Sequence, residues 1–340
     1  MIPWNEPTCR GNEVKYLKQV IKSNFLNDGD WTTRFENEFA KIHKAKYAVG
    51  VTSGTMALFL ALKALYVGNG DEVIVPDLTF IATANAVTWT GAKPILTDIE
   101  VPNLNLNPEK IVYTPKTKAI ILVHINGRIT SYDYNLPVIQ DCCQALGTAF
   151  DGLIGCYSFA PSKIITTGQG GMVVTNDEVL HKRLRELKDQ GRYNRGTGGD
   201  DIHPVLGFNA KLTNLQSAVG LAQLEKLTSR LKRMKEIYQH YLTLYITPHR
   251  HNPLWIDYYS ENRDGLYDYL LDNGIQCRKF WYPLHTQRPY ECQGDFSCSN
   301  FISNNYLWLP SSFNLTDKEI DYVTRKVREF ESRKRVPDLW

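Results

Sequence analysis

The sequence contains no CxxC pair, no internal repeat and no low-complexity tract. Nor does it contain an apolar run approaching the ~20 residues that a bilayer-spanning helix requires. The seven cysteines, at positions 9, 142, 143, 156, 277, 292 and 298, follow neither metal-ligand nor disulfide-framework spacing. They read as reduced thiols, with no metal site among them. Charge of one sign is equally scarce: the net charge of +3 is spread along the chain, and only the stretch from Arg325 to Arg335 gathers Lys and Arg. That stretch reads as a solvated helix face and argues against a nucleic-acid partner. The opening MIPWNEPTCRGNE lacks a basic region followed by an apolar one, so a cytoplasmic protein with no membrane partner is expected.

What is present is ordinary globular material, 340 residues with 43% hydrophobic and 22% charged side chains, enough for about two domains. An irregular opening and two amphipathic segments, Asn12 to Lys22 and Arg34 to Lys44, lead into alternating strand and helix patterns. YAVGVTSG, GDEVIVPDLTF, AKPILTDIE, KTKAIILVHIN, LPVIQDCCQ, GCYSFA and GGMVVTN predict seven strands in a largely parallel α/β sheet. Between ILVH and LPVIQD the run INGRITSYDYN is too short for a comfortable crossover helix. An extended or single-turn crossover that leaves one sheet face thinly covered is expected there. The loop QGRYNRGTGGDDIHP reads as a mobile lid, and TNLQ, in the form of a capping box, opens a long helical segment. These patterns divide the chain into a large domain with an N-terminal arm, 1–225, and a small C-terminal α/β domain, 226–340.

Ligands gather at the carboxyl ends of strands in such sheets. Ser53 to Thr55, Thr79 to Phe80, His124, Asp141 to Gln144, Ser158 and Lys163 all fall at or just beyond predicted strand ends. Strand, small-residue turn and the helix TMALFLALKAL make an anion site at Gly54 and Thr55, because the first amides of a helix lack partners and its dipole favours negative charge. A plain Ser53 N-cap is the simpler alternative. A lysine on the turn after GCYSFA can be desolvated, which frees its lone pair for imine formation. Asp141, at a strand end, needs a cationic partner, and a pyridinium nitrogen would serve. Together these residues suit pyridoxal phosphate: Lys163 for the aldehyde, Asp141 for the ring nitrogen, the Thr55 helix for the phosphate and Phe80 to stack on the ring. Cys142 and Cys143 read as packing residues and His124 as a core histidine.

The segments TSGTMALFLALKAL, GDEVIVPDLTFIATANAV, GAKPILTDIE, KTKAIILVH, IQDCCQALG, YSFAPSKIITTGQGGMVVTND and GFNAKLTNLQSAVGLAQLEKL resemble, in order, those of the DegT/DnrJ/EryC1/StrS sugar-nucleotide aminotransferases. The resemblance implies the aspartate aminotransferase type of fold, pyridoxal phosphate as cofactor and Lys163 as Schiff-base lysine and proton carrier. It also implies that Asp141 pairs with the ring nitrogen and that Gln144 lies beside the ring's phenolic oxygen. Gly54, Thr55, the Met56 amide and Ser158 would hold the phosphate, with Asn209 completing that site in a neighbouring subunit of a homodimer or higher oligomer. His285 in YPLH would lie near the substrate. L-glutamate would donate the amino group to a keto sugar carried on a nucleoside diphosphate.

Within the family, IITTGQGGMVVTND and LTNLQSAVGLAQLEKL are most similar to the group that converts GDP-4-keto-6-deoxymannose to GDP-perosamine, with dTDP-linked 4-keto or 3-keto sugars as the alternative. Three departures stand out: Lys211 where the family has Arg, Leu146 where histidine is common, and a short connection between Gly147 and Gly155. Two other classes share the fold, a dehydratase group with histidine in place of the lysine and a non-catalytic regulatory group. Lys163 argues against the first; Lys163, Asp141 and the Ser53–Thr55 turn argue against the second.

Overall fold

The computed structural model describes residues 1–101, 103–131, 134–192, 201–244, 246 and 252–333. Two amphipathic helices, α1 (Glu13–Ser23) and α2 (Asp30–His43), precede β1 (Tyr47–Val51) and α3 (Gly54–Ala64). Then come β2 (Glu72–Pro76), α4 (Ala82–Trp89), β3 (Lys93–Thr97), β4 (Thr117–Val123), β5 (Val138–Asp141), β6 (Ile154–Ser158), β7 (Gly171–Thr175) and α5 (Glu178–Lys188). The chain continues through α6 (Asn214–Leu224), α7 (Leu227–Tyr241), β8 (Ile256–Tyr259), α8 (Arg263–Asp272), β9 (Arg278–Lys279), α9 (Ser297–Asn305), β10 (Tyr306–Leu309) and α10 (Asp317–Arg333). No helix of the described residues is long and apolar enough to cross a membrane.

The seven expected strands form one sheet in the order β1-β7-β6-β5-β4-β2-β3. Four neighbouring pairs are parallel, and only β7 runs against both of its neighbours. Continuous apolar strands are what a sheet covered on both faces requires. Helix α3, apolar nearly all round, is buried accordingly, packed on β6 and β7 and between α4 and α5. The expected amphipathic start of α2 moves one turn earlier, because Asp30 and Trp31 of the NDGDW turn are already helical. The capping box at Thr213 is formed in full, yet the helical segment after it breaks at Glu225 and Lys226 into α6 and α7.

Among the described residues β4 leads into β5 through one 3₁₀ turn, Ile125–Gly127, and a small separate cluster of Ile74, Leu106, Ile120 and Leu122 is covered by partly buried side chains, Tyr134 and Leu136 of the connection among them. The turn places Asn126 at φ 48° and Gly127 at φ 83°. A Cβ on Gly127 would stand 1.9 Å from the Asn252 carbonyl oxygen, so both its conformation and its space demand glycine. Buried Asp257 of β8 ties this turn to the second sheet, β8-β10-β9: it accepts from Asn126 Nδ2 and from Trp308 Nε1 at 2.7 Å, and it pairs with Arg128. The first residues of the chain lie on that second sheet too. Ile2 bridges to Ile275, the Trp4 carbonyl accepts from the Ser311 amide at 2.8 Å, and the Trp4 ring packs 5.1 Å from Trp255. Residues 193–200 of the expected lid lie outside the described residues.

Candidate active site

A cavity of about 340 Å³ opens where the carboxyl ends of the large sheet face the C-terminal sheet. Of the residues expected there, Gly54, Thr55, Phe80, Asp141, Gln144, Ser158 and Lys163 line it. Their positions follow from local structure. β1 ends just before Ser53, whose Oγ accepts from the Met56 amide at 3.1 Å and caps α3. The simple N-cap and the anion site are therefore compatible: the cap satisfies Met56 and leaves Gly54 and Thr55 ahead of the helix's own hydrogen-bond ladder. The Met56 amide itself is engaged by Ser53, and Met56 is not among the lining residues.

Ser158 closes β6 beside this helix start. A Cβ added to Gly54 would meet Ser158 Cβ at 2.7 Å and Cys143 Sγ at 2.8 Å. Only glycine lets the helix N-terminus approach the Ser158 hydroxyl so closely, and that concentrates donors suited to a phosphate. The turn that follows is held by its own threonines: Thr166 Oγ1 donates to the Phe159 carbonyl at 2.9 Å and accepts from the Gly168 amide at 3.0 Å, while Thr167 Oγ1 donates to the Gln169 carbonyl at 2.7 Å. The Lys163 amide donates to the Ala160 carbonyl at 3.0 Å, placing the lysine side chain inward.

Burial pulls the Lys163 amine below the usual lysine value; Cys143 and Asp141 oppose the shift and Arg278 adds to it. Its Nζ lies 5.2 Å from the centre of the Trp255 ring. Asp141, at the end of β5, accepts from Thr83 Oγ1 at 3.0 Å and from the Cys143 amide at 3.1 Å. Thr83 is itself linked to Thr79 at 3.1 Å, one helical turn back. Gln144 Oε1 accepts from the Asn126 amide at 3.0 Å, which leaves Nε2 to donate. Burial pushes the Cys142 and Cys143 thiols well above their ordinary value, so neither is a thiolate nucleophile and both act as packing groups.

Besides Met56, two expected residues do not line the cavity. His285 is fixed by buried Asp77, with Nδ1 2.8 Å from Oδ2 and its amide donating to Oδ1 at 2.8 Å, and its ring stacks on Phe296 at 4.4 Å. It is absent from the cavity lining. Asn209 is exposed, joined to Asp189 by an isolated bridge, and likewise does not line the cavity. Nearby Lys211, in the place of the family's arginine, donates to Asp189. The short connection after Gly147 is pinned to α2, where the Phe150 amide donates to the His43 carbonyl at 2.8 Å.

The cavity also holds residues that sequence reasoning did not single out: Thr83, Ser162, Gln169, Trp255, Arg278 and Trp281. Thr83 lies in the first turn of α4, four residues after Thr79. Trp255 and Trp281 reach the site through tertiary packing, for which no local pattern exists.

Residues 7–328 match the model of the DegT/DnrJ/EryC1/StrS aminotransferase family. The chain is 34% identical over 366 residues to the GDP-perosamine synthase of Vibrio cholerae, covering 97% of this chain and 99% of that protein. It is 36% identical to the GDP-perosamine synthase of Caulobacter vibrioides, over 93% and 95% of the two chains. Among solved structures it is similar to S. venezuelae DesV in complex with a ketimine intermediate, with a TM-score of 0.89, 29% identity and coverage of 96% and 95%.

Proposed function

The chain belongs to the DegT/DnrJ/EryC1/StrS aminotransferase family, and we propose that it moves the amino group of L-glutamate onto a nucleotide-linked 4-keto-6-deoxy sugar, GDP-4-keto-6-deoxymannose, to form GDP-perosamine. It is a sugar aminotransferase, and its cofactor is pyridoxal phosphate. One observation carries the reading to this site: a buried lysine amine shares a cavity with an anchored aspartate, a serine hydroxyl and a free helix N-terminus.

Those residues fit the cofactor. Gly54, Thr55 and Ser158 would hold its phosphate, Asp141 its ring nitrogen, Gln144 its ring oxygen and Phe80 the ring face. Bound there, pyridoxal phosphate supplies a carbonyl for the substrate amine and an electron-withdrawing ring that accepts the electron pair released at the substrate carbon. Thr83 and the Cys143 amide keep the Asp141 carboxylate turned into the cavity. Lys163, whose amine burial makes easier to deprotonate, would carry a proton between substrate and cofactor carbons. The Trp255 ring, its centre 5.2 Å from that amine, would limit water there.

The choice of a GDP-linked sugar rests on the perosamine synthases, which align over nearly the whole chain despite the short connection after Gly147. The reading extends to a homodimer in which exposed Asn209 serves the neighbouring copy's phosphate site, to a location in the cytoplasm and to a division into 1–225 and 226–340. His285, held by Asp77 through Nδ1, would meet the substrate through Nε2. The test runs the two half-reactions separately: L-glutamate converts the loaded enzyme to its amino form, and GDP-4-keto-6-deoxymannose and its dTDP-linked counterparts are then offered in turn. Amination of the GDP sugar alone supports the proposal, and amination of a dTDP sugar alone overturns its substrate.

A further inference from the structure

Arg278 is the second cation of the cavity, and it has no anion among the described residues. Its guanidinium lies 5.2 Å from the centre of the Trp4 ring and 5.6 Å from that of Trp308. Among the described residues no carboxylate pairs with it. The ring contacts fix the group without using up its N–H fork, since cation–π attraction engages the face of the guanidinium and not its edge. The residue is exposed at the edge of β9, and the partial desolvation of its guanidinium against the rings lowers its pKa, with no acidic neighbour to oppose the shift. Arg278 also depresses the Lys163 amine, so the two cations sense one another within a cavity whose single lining carboxylate, Asp141, is already held by Thr83 and Cys143.

Two charges of one sign facing a shared space, one of them a free fork, describe a receptor for a carboxylate. The amino donor has an α-carboxylate one bond from the carbon whose proton Lys163 must take, so that carboxylate is confined to the neighbourhood of the lysine amine. The diphosphate of a nucleotide sugar is separated from the reacting carbonyl by the sugar ring and lies farther out. We infer that Arg278 binds the α-carboxylate of the amino donor through its guanidinium fork, with Trp4 and Trp308 holding the fork in place. The inference rests on the aminotransferase reading above and assigns the donor's binding site within it. Because the acceptor has no carboxylate, Arg278 should act on the first half-reaction and spare the second.

The experiment compares holoenzyme with Arg278→Lys and Arg278→Gln. Each half-reaction is followed by the change in cofactor absorbance, using L-glutamate first and then, in wild type, a panel of other α-amino acids, so that the best donor serves as the probe. Loss of a charge-assisted fork predicts that Arg278→Gln raises the donor's half-saturation by about 10- to 100-fold and Arg278→Lys by less. The nucleotide-sugar constant should stay within about twofold. Binding of glutarate, an unreactive dicarboxylate, read by tryptophan emission of the holoenzyme, should saturate in wild type and weaken in parallel in Arg278→Gln. An unchanged cofactor band in each variant shows that the fold is kept. An unaltered donor constant overturns the inference, and so does an effect confined to the nucleotide sugar, which would assign Arg278 to the diphosphate. Failure of wild type to aminate any nucleotide sugar would sink the substrate reading instead and leave the donor comparison decisive for Arg278.

Discussion

The two walls of the cavity differ in how they are built. Gly54, Asp141, Ser158 and Lys163 stand at strand ends and turns of the large sheet, where backbone hydrogen bonds set each position. Trp255, Arg278 and Trp281 stand around the edge of the three-stranded sheet and are placed by aromatic packing: Trp255 lies 4.6 Å and Trp281 5.0 Å from Trp308, ring centre to ring centre. The first wall contains the groups that would meet cofactor; the second faces what enters after it. On the proposed function, the wall set by backbone hydrogen bonds would carry the chemistry, and the wall set by aromatic packing would select among donors and acceptors.

The largest effect that would break this contrast belongs to the first wall. Lys163→Ala should lower transamination by at least about a thousandfold, because the proton carrier is lost, and a half-reaction retaining more than a tenth of the wild-type rate would remove Lys163 from that role. Asp141→Ala should follow with about a hundredfold loss in rate, as expected for removal of a preorganised charge from a dry site; stopped-flow absorbance separates this from loss of cofactor. Gly54→Ala drives a methyl into Ser158 and Cys143. It should weaken cofactor binding by about 1–3 kcal/mol, the usual range for overpacking, with equilibrium dialysis as the measure. Thr83→Val removes one of the two hydrogen bonds that aim Asp141, and a rate reduced by about tenfold is expected.

The smallest effect is a pH dependence. In cofactor-free protein the folded-state pKa of Lys163 lies below its unfolded value, so between those two values the unfolded chain binds more protons and stability rises with pH. Below that window the buried charge is a standing cost. Denaturant titrations across alkaline pH should show the rise in wild type and a flatter curve in Lys163→Met; equal slopes would mean that the amine is not desolvated.

Much of the first wall was legible in the sequence because its determinants are local. Seven apolar strand patterns, the small-residue turn before α3 and the short run between β4 and β5 each carry their own structural instruction. The second wall was opaque for the opposite reason: Trp4 lies far along the chain from Trp255 and Trp308, and the three meet only through the sheet that packs them. The break at Glu225 and Lys226 has no local signal, because neither residue is a helix breaker. The pairing of His285 with Asp77 shows a further limit, since no spacing in the sequence connects that histidine to the strand-end carboxylate that holds its Nδ1.

The central claim is that Lys163 is the amine that meets the cofactor. Borohydride reduction of the loaded enzyme followed by peptide mass mapping tests it most directly. The predicted result is the added cofactor mass on the peptide containing Lys163, and on no other; its appearance on a different lysine, with the Lys163 peptide unmodified, would contradict the account.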